Sequence, residues 1–152
     1  MPTTTGSSTR PAPVIYLDEP FASVRWEDPW VTMEWKAFCS SAQFRATQEA
    51  LLLAVIENGA QRLLTDIRHG KVILSVDERW LVEDMLPRLA RTSLRFTALV
   101  MPYNALALVI ATDISKAAQP QDGISTTEQF ASIELAKAWL WSRETLASTA
   151  KR

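Results

Sequence analysis

Apolar and polar positions alternate with a period of two in two stretches near the start of the chain. Over 21–27, Ala22, Val24 and Trp26 oppose Phe21, Ser23, Arg25 and Glu27. Over 30–36, Val31, Met33 and Trp35 oppose Thr32, Glu34 and Lys36. That period belongs to strands with one buried face. Ahead of them, Val14, Ile15, Tyr16 and Leu17 form a β-favouring run closed by Asp18-Glu19-Pro20, and Asp28-Pro29 supplies a turn. Three short strands joined by tight turns are expected to pair antiparallel.

The period then lengthens. Ser40 or Ser41 caps a helix that runs to about Asn58 and stops at Gly59. Phe44, Leu51, Leu52, Val55 and Ile56 form its sheet-facing stripe, interrupted by Gln48. Arg45 and Glu49 are four apart on the outer face, a spacing at which they can pair weakly. The run Gln61-Arg62-Leu63-Leu64-Thr65-Asp66-Ile67-Arg68 reads as a buried fourth strand leading through His69-Gly70 to a second helix. Ser75 and Glu78 match a capping box for that helix. Trp80, Leu81 and Met85 are its inward residues, and Pro87 is expected to kink or end it.

A fifth strand follows over 94–101. A helix capped by Asn104 comes next, with Leu106, Val109, Ile110, Asp113 and Ile114 on one side. A loop over 120–123 leads to a weak sixth strand over 124–131. Ser132 caps the last helix, whose stripe is Leu135, Ala136, Trp139, Leu140 and the stem of Arg143. The order βββαβαβαβα predicts an α/β fold with a single mixed, largely parallel sheet flanked by helices. Residues 1–12, rich in Thr, Ser, Gly and Pro, read as a disordered tail, and 13–149 as one domain. The C-terminal edge of the fourth strand is where such sheets usually receive ligands or partners.

Composition narrows the function classes. The 152-residue chain carries a formal net charge of −1, so it lacks the basic footprint of a nucleic-acid binder. Cys39 is the single cysteine and His69 the single histidine, so neither a disulfide nor a zinc ligand set is expected. The start of the sequence has no apolar core of a secretory signal, and no apolar run is long enough to span a bilayer. A cytoplasmic protein without an integral membrane segment is the expectation.

Candidate chemistry is sparse. Asp66, Arg68 and His69 are the polar residues at the favoured strand end, with Arg68 a possible anion contact and Asp66 or His69 a proton acceptor. The simpler reading pairs Asp66 with Arg68. Ser75 at a helix start is a possible phosphosite, although Asp77 and Glu78 would repel added phosphate. Cys39 has no local base and reads as an inert small residue. There is no G-x-S-x-G elbow and no Gly-rich phosphate loop. Trp26, Trp30, Trp35 and Phe38 either pack beneath the first helix or line a pocket for a small apolar or lipid-like ligand. Trp139 and Trp141 are two apart and cannot both face the core, so Trp141 is expected at the surface as a partner anchor.

Four segments carry a resemblance to a known family. They are Met33-Glu34-Trp35-Lys36 leading to Phe44-Arg45, then Leu63 to Arg68, then Ser75 to Leu81 with Pro87 behind it, and Phe130 to Leu140. In order and spacing they resemble the SpoIIAA-like, STAS-type domains, related in fold to anti-sigma-factor antagonists and distantly to CRAL-TRIO domains. The resemblance implies a mixed sheet flanked by helices and a binding or regulatory role without catalysis or cofactor. Anti-sigma-factor antagonists carry a phosphorylatable serine directly after the central strand's aspartate. Here Asp66 is followed by Ile-Arg-His-Gly, and the next serine is Ser75. The expected function is therefore a non-catalytic interaction or regulatory module acting on a protein partner or as a homodimer, with binding residues Asp66, Arg68, His69 and Trp141.

Overall fold

The computed structural model describes residues 12–70, 73–102, 105–118 and 126–143. Six strands form one sheet in sequential order: β1 (Val14–Asp18), β2 (Ala22–Glu27), β3 (Trp30–Trp35), β4 (Arg62–Asp66), β5 (Phe96–Val100) and β6 (Thr126–Phe130). The first three pair antiparallel and β3 through β6 pair parallel, giving the mixed α/β sheet that the alternation predicts. The Asp28–Pro29 peptide in the β2–β3 turn is cis.

The parallel strands step in one direction, and right-handed crossovers then place every connecting helix on the same face. Helix α1 (Ser41–Asn58) packs there on Ala22, Val24, Val31, Met33, Trp35 and Leu63. The β4–β5 connection adds α2 (Ser75–Trp80), a π-helical segment (Leu81–Met85) and α3 (Leu86–Ala90), which bring Leu81, Met85 and Leu89 to the same core. Helix α4 (Ala105–Ala118) joins it through Ile114. Only α5 (Ile133–Ser142) covers the opposite face among the described residues. Its Ala136 and Leu140 pack on Leu64, Ala98, Val100 and Trp30.

Local signals explain where these helices begin and end. Ser40 is the N-cap of α1: its hydroxyl accepts from the Gln43 N–H while the Gln43 side chain accepts from the Ser40 N–H. Gly59 closes the helix at φ 55°, a left-handed conformation that glycine adopts without a Cβ clash. Ser132 caps α5 by accepting from the Leu135 N–H.

Several expectations are corrected. Ile56 is 59% exposed, because a residue twelve positions beyond Phe44 lies about a third of a turn off its face. Thr47 and Ala54 complete the buried stripe of α1 instead. Leu135 of α5 and Val109 of α4 also point outward, and Ala111 of α4 is buried. The Ser75–Glu78 capping box is absent. Leu74 holds the N-cap position without a side-chain bond, and Ser75 is the first helical residue. Pro87 does not end its helix. The turn before it widens so that the Leu86 N–H reaches the Leu81 carbonyl, five residues back, and Pro87 itself has no N–H to place. Trp80 is half-buried, with its ring edge-on to Phe44. Residues 1–11 of the tail expected over 1–12, the Asn104 cap, the Leu106 side chain and the 120–123 loop lie outside what the structure describes.

Candidate functional site

Asp66 is the last residue of β4, buried at the strand's C-terminal end. The chain turns sharply after it, and Arg68 folds back. The Arg68 backbone N–H donates to Asp66 Oδ1 at 3.1 Å, its Nε to the same oxygen at 3.0 Å, and its Nη2 to Oδ2 at 2.8 Å. This bidentate pair occupies both carboxylate oxygens. Burial pushes the Asp66 carboxyl up, but the hydrogen bonds and charge of Arg68, with a contribution from His69, outweigh it and hold the carboxyl below its ordinary value. His69 is exposed in the loop beyond, and Ser75 is exposed on the first turn of α2.

A depressed carboxyl has a defined sign in stability. The folded protein gains from this pair above the ordinary carboxylate pKa of about 3.9, and loses that gain as pH falls through the lower folded value. Urea midpoints measured from neutral pH down to acid should therefore fall, and an Asp66→Asn variant should show a shallower fall. An identical slope in the variant would show that Asp66 does not contribute to acid sensitivity.

Because the strand order never reverses along β3 to β6, the β4 edge lacks the crevice of a doubly wound sheet, where neighbouring helices part to opposite faces. The edge is closed further by a feature that the sequence does not signal. Asp77, 1% exposed in α2, accepts from Ser41 Oγ at 2.8 Å and from Arg45 Nε at 3.3 Å. The starts of α1 and α2 are thus tied together beside the β4 end. Arg45 also lies 5.0 Å from the Trp80 ring centre. The Arg45–Glu49 pair that the spacing allows gives way to this contact, and Glu49 instead pairs with Arg88 of α3 at 2.7 Å. Nothing in the local sequence links positions separated by 32 and 39 residues.

The four aromatics of the N-terminal strands do not come together. Trp26 and Trp35 pack on the α1 side, where Trp35 stacks on Phe44 at 5.2 Å. Trp30 points to the α5 side, and Phe38 is exposed in the β3–α1 loop. They therefore cannot line one pocket. Cys39 is buried, which pushes its thiol above the ordinary value and keeps it a poor nucleophile.

Trp141 lies at the surface as expected, 51% exposed near the end of α5. Its ring meets Trp30 edge-to-face, with centroids 5.3 Å apart. The antiparallel half of the α5 face carries Ser23, Arg25, Glu27, Thr32 and Glu34 beside it. Arg25 donates to Ser23 and Glu27, and Thr32 donates to Glu27. Burial raises the Glu27 carboxyl, but these bonds and the charges of Arg25 and Lys137 of α5 bring it below its ordinary value. This polar sheet surface therefore meets the flank of α5 at Lys137 and Trp141. Among the described residues, no group of three His, Cys, Asp or Glu side chains is placed to hold a metal ion, and no helix is long and apolar enough to cross a membrane. No protein-family model matches the chain, and no curated protein matches it significantly.

Proposed function

We propose that this chain is a non-catalytic, STAS-like interaction module of the cytoplasm that docks a protein partner, or a second copy of itself, through the end of α5. The observation that carries this reading is Trp141. A large aromatic held half-exposed by a buried neighbour is a preorganised anchor, and aromatic anchors dominate protein interfaces. The polar surface next to it is already internally paired, which suits a rim around such an anchor. The closed Asp66–Arg68 pair supports binding over catalysis at β4, because its carboxylate oxygens are held by the guanidinium beside them. An enzyme centred on Asp66, Arg68 and His69 has the least support.

Sedimentation velocity on the wild type and Trp141→Ala tests the self-association form of this reading. The wild type should sediment as a dimer at micromolar concentration and the variant should shift to monomer. Folding stability should change by only about 1 kcal/mol, as for other surface substitutions. A dimer that survives the substitution would remove Trp141 from the interface. A stability loss several times larger would make Trp141 a core residue.

A further inference from the structure

The side of the sheet covered by α5 holds two buried donors that no protein group accepts from: Trp30 Nε1 and Arg62 Nε. They belong to one place. Val31 of β3 pairs with Leu63 of β4, so Trp30 and Arg62, one residue earlier on each strand, are lateral neighbours. Trp30 is 2% exposed. The Arg62 guanidinium is held in position because its Nη2 donates to the Arg143 carbonyl at the end of α5, at 2.6 Å. Burial pulls that guanidinium below its ordinary value, against the charge of Asp28 in the nearby turn. A buried N–H without an acceptor is uncommon in folded proteins and calls for an explanation. Two neighbouring ones, one of them on a guanidinium, call for an acceptor that carries negative charge.

The surroundings describe the rest of that acceptor. Phe96 is the cross-strand neighbour of Arg62, and Trp139 packs edge-on to Phe96 at 6.0 Å. Trp141 meets Trp30 edge-to-face and is half-exposed, so it forms the outer wall. The geometry points to a binding site for a small carboxylate on a flat apolar body, with its oxygens on Trp30 Nε1 and Arg62 Nε and its ring among Trp30, Phe96 and Trp141. Aromatic walls with a few fixed polar groups are the usual make-up of a small-molecule site. This site goes beyond the docking proposal but shares Trp141 with it, and the titration below tests the site on the chain without a partner.

Sodium benzoate and phenylacetate are the probes, with phenylacetamide as the neutral control. The readout is the Trp30 indole N–H resonance in a proton–nitrogen correlation spectrum, assigned by its loss in Trp30→Phe. The carboxylates should shift that resonance saturably and the amide should not. Arg62→Met should weaken binding roughly tenfold or more, the range for losing a hydrogen bond to a charged group. The wild-type titration stands alone if the variant does not fold. Equal shifts with the amide, or no saturation with either acid, would overturn the site. So would a crystal structure grown with benzoate that shows only an ordered water, or the Asp28 carboxylate, between the two donors.

Discussion

Phe44→Ala should cost about 3–5 kcal/mol of folding stability, read as a lower urea midpoint with an unchanged slope. Phe44 is 3% exposed and stacks on Trp35 while meeting the Trp80 ring edge-on. It therefore ties β3 and α1, neighbours in sequence, to the distant end of α2. Truncation leaves a cavity between two rings that strand and helix positions hold in place, so collapse around it is limited. Phe44→Leu keeps most of the volume and should cost about 1 kcal/mol. A loss below about 1 kcal/mol for the alanine variant would show that Trp35 and Trp80 repack across the gap.

Asp77→Ala should cost about 2–3 kcal/mol, the next largest effect. The substitution removes the acceptor of both Ser41 Oγ and Arg45 Nε at a 1% exposed position. Arg45 is partly solvated and its loss is screened, so the greater share comes from the part-buried Ser41 hydroxyl and the space emptied at the buried Asp77 position. A double-mutant cycle separates the two. In a Ser41→Ala background the Asp77→Ala loss should shrink clearly, since neighbours in one network couple. Strict additivity would mean that the contact between the two helix starts carries no energy.

The elements that were legible in the sequence share one property: their signal is local. Alternation over β2 and β3 names the faces of Val31, Met33 and Trp35. Ser40, Gly59 and Ser132 mark helix ends through bonds to residues within four positions. The same alternation also separates Trp30 from Trp35, five positions apart and so on opposite faces. Trp26, Trp30, Trp35 and Phe38 are near in sequence, but the strand period sets Trp30 on the face opposite Trp26 and Trp35. The contacts that define the site are of the other kind. Asp77 reads as one more acidic residue of a helix start, and only the fold brings Ser41 and Arg45 to it. Ser75 fits a capping box by spacing, yet the helix begins one residue earlier because Leu74 supplies the first carbonyl. Arg62 reads as the polar start of an apolar strand, and its place below the end of α5 depends on a helix end 81 residues later.

The one-sided stacking of the crossovers makes the two sides of this sheet unequal in how they open. The side bearing α1 to α4 is sewn together by several chain segments, and none can leave without exposing the others. The α5 side is closed by a single ten-residue helix at the end of the described chain, resting on Ala136, Leu140 and their few neighbours. Local openings follow the layer with the least buried apolar surface, so α5 lifts at a lower free energy than global unfolding. Its lifting frees the Arg143 carbonyl from Arg62 and uncovers Trp30. For the proposed site, opening of this one helix would then be the way in for solvent or a small solute.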